Sequence, residues 1–131
     1  MDDNTHFENG MKKRRRVLGD AWVERSIQRK TDFNADFLDL LTRYCWGDVW
    51  MRPHFDERIR RIIVIASMVA ASRWEEFRIH TRAALTQGGF TKEDIKELLL
   101  QQAIYCGIPA ANTAFNEAAQ VIAEIEKAKA G

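Results

Sequence analysis

The sequence predicts an all-α fold, and three observations carry that prediction. Apolar residues recur at three- and four-residue spacing along nearly the whole chain. No stretch alternates apolar and polar residues as a half-buried strand would. The glycines are few, and apart from Gly10 they fall between the periodic stretches or at the chain's end, where helices end. About six to seven helices are expected in one compact bundle spanning residues 1–131. The composition is 46% hydrophobic and 30% charged, which excludes a chain too polar to bury a core.

Residues 5–18 form the first expected helix, with Phe7, Met11, Arg14 or Arg15, and Leu18 on one spacing. Gly19 suits its C-terminal end, and Asp20 suits the cap of a new helix. The run Lys12-Lys13-Arg14-Arg15-Arg16 is the one basic cluster. It has no neighbouring aromatics and no nucleic-acid motif, and the net charge of the chain is only +1. A solvated face or a face toward a neighbouring subunit is expected, not a nucleic-acid surface.

Residues 32–45 form a second helix, capped by Thr31 or Asp32, with Phe33, Phe37, Leu40, Leu41 and Tyr44 as its stripe. The segment Trp46-Gly47-Asp48-Val49-Trp50-Met51-Arg52-Pro53 breaks the pattern. Two readings fit its tryptophans: they plug the end of the core, or they wall a pocket. Asp56 suits the cap of a helix from Glu57 to about Ala71. That helix is apolar on more than one face and is expected to be packed on several sides. Arg58, Arg60 and Arg61 crowd its first turn, the end of the macrodipole that disfavours cations. Acidic side chains or an anionic ligand would answer them, as would plain exposure.

Ser72-Arg73-Trp74-Glu75 has the form of a capping box, so a new helix is expected near Arg73. Gly88-Gly89 ends it. Thr91 caps the next helix with Asp94 as reciprocal partner. Its expected buried stripe is Ile95, Leu98, Leu99, Ala103 and Ile104. Tyr105-Cys106-Gly107-Ile108-Pro109 stops it, and a last helix runs from Ala110 to about Lys127. So many apolar faces in so short a chain suggest an oligomer that shares its core.

Chemistry concentrates in Trp74-Glu75-Glu76-Phe77-Arg78-Ile79-His80-Thr81-Arg82. Glu76 and His80 lie four apart, one turn from each other on a helix face. A carboxylate there would orient the imidazole, raise its proton affinity and ready it to deliver a proton near neutral pH. The alternative is an ordinary exposed helix pair. The three histidines, His6, His54 and His80, have no metal-ligand spacing. Cys45 and Cys106 form neither a redox pair nor a zinc pattern, and reduced thiols in the cytoplasm are expected. Met1-Asp2-Asp3-Asn4 does not read as a signal peptide, and no apolar run is long enough to span a membrane.

These features together resemble the carboxymuconolactone decarboxylase family. The resemblance is carried by Arg15-Arg16-Val17-Leu18-Gly19-Asp20, by Thr42-Arg43 through Trp46-Gly47-Asp48-Val49-Trp50, and by Arg52-Pro53 and Arg60. It continues in Glu75-Glu76 through His80-x-Arg82-Ala83-Ala84, and in Ala103-Ile104-Tyr105-Cys106-Gly107-Ile108-Pro109-Ala110-Ala111-Asn112. It implies a helical fold shared with proteins related to alkylhydroperoxidase D, and a homohexamer or homotrimer. Those relatives carry a reactive CxxC on the helix matching Arg73 to His80, and this chain has no cysteine there.

The implied reaction is decarboxylation of 4-carboxymuconolactone, which carries two carboxylates, to an enol-lactone in protocatechuate breakdown; the alternatives are a same-fold enzyme acting on another lactone or keto acid, a thiol peroxidase-like partner, or a non-catalytic helical oligomer. The lactone is its own electron sink, so no cofactor and no metal is implied. The resemblance casts His80 as proton donor with Glu76 orienting it, and Arg60 as carboxylate anchor with Arg82 as second candidate. Trp46 and Trp50 would shelter the scissile carboxylate. Cys106 would line the pocket or serve as a buried small hydrophobe, and Tyr105 would donate to an oxyanion or pack. His54 stands where the family has glycine, and Trp74 where it has a small or polar residue, which bears on the substrate.

Overall fold

A computed structural model describes residues 2–131, so Met1 of the acidic N-terminal segment lies outside the described residues. The described residues form helices throughout and no strand. They divide into two compact units, residues 2–57 and 58–131.

The first unit begins with α1 (Asp3–Leu18), whose first turn is capped by the Asp2 carboxylate accepting from the Thr5 amide at 2.8 Å. Gly19, at φ 94°, turns the chain directly into α2 (Asp20–Gln28). The basic run is absorbed here. Arg14 is buried and donates to Ser26 Oγ at 2.7 Å, with its guanidinium over the Trp22 ring. Arg15 pairs with Asp20 and Glu24, and Arg16 with Glu57.

The expected helix at 32–45 starts later. Thr31 and Asn34 close a turn on each other, Thr31 N donating to Asn34 Oδ1 at 2.8 Å and Asn34 N to Thr31 Oγ1 at 3.4 Å. α3 (Ala35–Leu40) follows and widens into a π-helical turn, Leu41–Trp46. Two glycines let this turn lie against α1. A Cβ on Gly10 would fall 1.9 Å from the Thr42 carbonyl oxygen, and one on Gly47 would fall 2.1 Å from that of His6. A short 3-10 turn, Val49–Met51, completes the unit.

The second unit is a four-helix core. α4 (Glu57–Ala70) starts and ends close to expectation. Ser72 is not the cap of the next helix. It sits at φ 55° and closes α4, with Arg73 N bonded to Met68 O at 2.9 Å. α5 (Trp74–Thr86) then starts from Arg73 with no side-chain cap. α6 (Lys92–Cys106) carries the expected Thr91/Asp94 capping box, and Gly107 ends it at φ 97°. α7 (Ile108–Ala130) begins at once, because Pro109 falls in its first turn, where a missing N–H costs nothing.

Ile65 and Val69 of α4, Phe77 and Ala84 of α5, Phe90 of the following loop, Ile95 and Leu99 of α6, and Ala114 and Ala118 of α7 form the core of this unit. Small residues on α7 let α5 and α6 approach it closely. Two expectations fail here. Ile104 is exposed, not part of the α6 stripe. α4 is not packed on all sides within the chain: Arg61, Ile65 and Val69 are buried, but Ile59, Ile62 and Ile63 are exposed.

Candidate functional site

The site is built in the second unit, where α4 and α5 bring a buried arginine and a histidine together. Arg61 shares the inward face of α4 with Ile65 and Val69 at four-residue spacing. It is 1% exposed and is the bulkiest of the fully buried side chains. His80 lies on α5, half-buried, with Nδ1 closed off from solvent. Burial first, and then the Arg61 charge, push the His80 pKa down from 6.5 to about 4. The ring is therefore uncharged at neutral pH.

This reverses one expectation. Glu76, one turn earlier, was expected to raise the proton affinity of the ring. Its side chain is exposed and its charge is screened by water, whereas the Arg61 charge acts through the protein interior. The outcome for His80 is lowered proton affinity.

Arg60 is half-buried on α4, beside Arg61 in the chain. Arg82 is engaged elsewhere: its Nη2 donates to Glu124 at 2.6 Å. Arg78 donates to Glu117, Gln120 and the same Glu124, so the two arginines tie α5 to α7. Tyr105 is exposed, with its ring in solvent within this chain. Cys106 is half-buried against the core, and its sulfur accepts a long bond of 3.4 Å from Gln102. That environment fits a small hydrophobe. Trp74 packs edge-on against Phe77 at the rim of the same core.

Trp46 and Trp50 belong to the first unit. Both are buried, and their rings stack at 4.8 Å. Within that unit they are core. Cys45 beside them is also half-buried, and burial pushes its thiol pKa up despite a hydrogen bond with Trp50. Both cysteines are free thiols.

A cavity of about 370 Å³ in the second unit is lined by Arg58, Ile62, Phe90, Asp94, Glu97 and Gln102, among others. None of the expected site residues lines it. Arg58 lies over the Phe90 ring and pairs with Asp94 at 3.1 Å, so Glu97 leaves the cavity with an acidic surplus. That is the wrong sign for a dianion. Among the described residues, no three His, Cys, Asp or Glu side chains converge as metal ligands would. None of the described helices is long and apolar enough to cross a membrane.

From sequence, Arg61 was one of three arginines crowding the first turn of α4, with nothing to set it apart, and Gly88 was read only as a helix end. The spacing of Arg61, Ile65 and Val69 carried the signal for the first. For Gly88, a helix-ending glycine pair explained the residue too readily: a Cβ there would fall 2.6 Å from Arg61 Nε.

The model of the carboxymuconolactone decarboxylase family matches residues 35–120, which include α3 to α6 and the Arg61/His80 pair. The chain belongs to this family. One family relative is the 4-carboxymuconolactone decarboxylase of Acinetobacter baylyi, 38% identical over 125 residues, covering 95% of this chain and 92% of that protein. A second is the nitrosuccinic acid decarboxylase npaB of Metarhizium robertsii, 36% identical over 104 residues, 79% of this chain and 72% of that one. A 4-carboxymuconolactone decarboxylase sequence from Pseudomonas putida is 44% identical over 48 residues, 37% of this chain and all of that sequence. The family's helical architecture agrees with the all-α fold described above.

Proposed function

We propose that this protein is a carbon-carbon lyase that decarboxylates 4-carboxymuconolactone to the enol-lactone, without a cofactor, in the cytoplasmic breakdown of protocatechuate. The observation that carries this reading is the 38% identity to a protein of that name across nearly the full length of both chains. In the reaction, the electron pair of the scissile bond moves through the ring double bond to the lactone carbonyl oxygen. CO2 leaves, and the dienolate takes one proton at the carbon beside the carbonyl.

That proton must come from a group able to carry it. His80 is uncharged near neutral pH in the protein alone, since burial and Arg61 hold its pKa at about 4. A substrate with two carboxylates reverses the local charge, so the ring gains its proton with the substrate and then gives it to the dienolate. Glu76 orients the ring. Arg60 holds the spectator carboxylate, a task for which a guanidinium fork is suited.

The same reading includes a homohexamer or homotrimer. Ile104, Tyr105 and Ile108 are 80%, 81% and 71% exposed at the α6–α7 junction, and α4 shows Ile59, Ile62 and Ile63 to solvent. Apolar surface of that extent asks for a partner, and a second copy supplies it. Light scattering should find an oligomer, and the pair Ile104→Glu with Ile108→Glu should reduce it to a smaller species. A wild-type monomer would remove this part of the reading.

A second reading is a decarboxylase of another dicarboxylate, supported by the family relative named for nitrosuccinic acid and by Trp74. Incubation with 4-carboxymuconolactone decides between them. Enol-lactone formed with one equivalent of CO2 supports the first, and no CO2 release sinks it.

A further inference from the structure

The second unit holds another cavity, of about 150 Å³, between the end of α5, the start of α6 and the C-terminal half of α7. Its walls are Leu85, Phe90, Ile122 and Ile125, which are buried or half-buried. Lys92, Glu126 and Lys129 are exposed and form its mouth. Lys92 Nζ and Glu126 Oε1 pair there at 2.7 Å. The Lys92 hydrogen bond lowers the Glu126 pKa most, and the Lys129 charge adds to it, so both ammonium groups reach the one carboxylate. The lining side chains carry one positive charge in surplus. Phe90 also lines the larger cavity described above, where the surplus is acidic. The two cavities share a wall and differ in sign.

We propose that this cavity binds a single-ring aromatic monocarboxylate, with the ring among Leu85, Phe90, Ile122 and Ile125 and the carboxylate at Lys92 and Lys129. Size selects the ring: an apolar cavity of about 150 Å³ lined by Leu, Ile and Phe holds one benzene ring. A fused ring system overfills it. The Phe90 wall favours an aromatic body over an aliphatic one, through edge-to-face or offset contact. Charge selects the acid, because an apolar floor with a few polar groups at its rim fixes the orientation of a ligand that matches both. Glu126 competes with that ligand for the same lysines and keeps the site weak. The inference does not rest on the decarboxylase reading: His80, Glu76 and Arg60 are not among the lining residues.

The test is a methyl NMR titration of the full-length protein with benzoate. The Leu85, Ile122 and Ile125 methyls should shift together and saturate with a Kd of about 1 mM, the affinity open to so small a ligand. Benzylamine has the same ring and the opposite charge, and should bind roughly tenfold more weakly. Glu126→Gln removes the competing carboxylate and should tighten benzoate by about threefold. Lys129→Glu should reverse the order, so that benzylamine binds better than benzoate. Both substitutions fall at exposed positions and leave the apolar walls intact, so both variants should fold. Methyls that do not shift at about ten times the expected Kd overturn the proposal. Equal binding of benzoate and benzylamine overturns it, as does an unchanged order in Lys129→Glu. Benzoate that shifts His80 and not these methyls belongs to the histidine site, and that result overturns the proposal too. None of these readouts uses turnover, so absence of decarboxylation would remove the proposed reaction and leave this site standing.

Discussion

Among the described residues two arginines are buried, and they bear the same cost in different ways. Arg14 is 4% exposed, and its surroundings are a serine hydroxyl and a tryptophan ring, both on α2. Those contacts fasten α1 to α2. Arg61 is buried as deeply, but its charge falls on an imidazole. Desolvating a guanidinium is expensive at either position. In the first unit the return is the packing of two helices. In the second it is a histidine whose proton affinity is lowered, by burial first and then by the Arg61 charge. Burial of a charge marks a candidate site only when a titratable neighbour shares it.

The largest expected effect tests that contrast at the histidine. His80→Ala should lower turnover by about a hundred- to ten-thousand-fold, the range for a positioned general acid, while the fold persists by circular dichroism. Near-normal turnover would end the proton-donor assignment. Next is a pH effect on stability. The unfolded ring takes a proton near 6.5 and the native ring only near 4, so native stability falls as pH drops through that window. The loss is about 3 kcal/mol by linkage, and urea unfolding of His80→Gln should show it removed. Equal pH dependence in the two proteins would mean that the ring is not held uncharged.

Arg14→Ala should cost about 2 kcal/mol of stability, from a lost hydrogen bond and a cavity. Its kcat should match the wild type. A change in kcat without a change in stability would erase the contrast between the two arginines. The smallest effect expected is about 1 kcal/mol for Thr91→Ala, the ordinary value of a helix cap, read from the urea midpoint.

Much of this fold was legible in the sequence, because helix periods and caps are local. Thr91 with Asp94, the Glu57 start of α4 and the Gly107 stop needed only neighbours to be read. The errors came where longer-range packing overrode local pattern. Ser72 has a capping-box sequence, but it closes α4 in a left-handed turn. Leu41–Trp46 widens to a π-turn, an outcome shaped by the close approach of Gly10. The apolar faces of α4 were visible, but not which of them the chain itself covers.

The site was legible in part. His80 stood out by type and spacing. Glu76 was its obvious partner along the helix, yet burial lowers the proton affinity of the ring most, and Arg61 on another element adds to that. Arg58, Arg60 and Arg61 crowd one turn, and only packing tells which of them points inward. Arg82 looked available in sequence because Glu124, forty-two residues away, could not be seen beside it.

The most direct test of the central claim, that His80 gains its proton with the substrate, is the pH profile of decarboxylation measured as kcat/KM and as kcat. The free enzyme governs kcat/KM and the complex governs kcat. With a free His80 near 4, kcat/KM should fall about tenfold per unit from about pH 5 to 7, while kcat stays level over the same range. A kcat/KM that is flat or rises there would contradict the account.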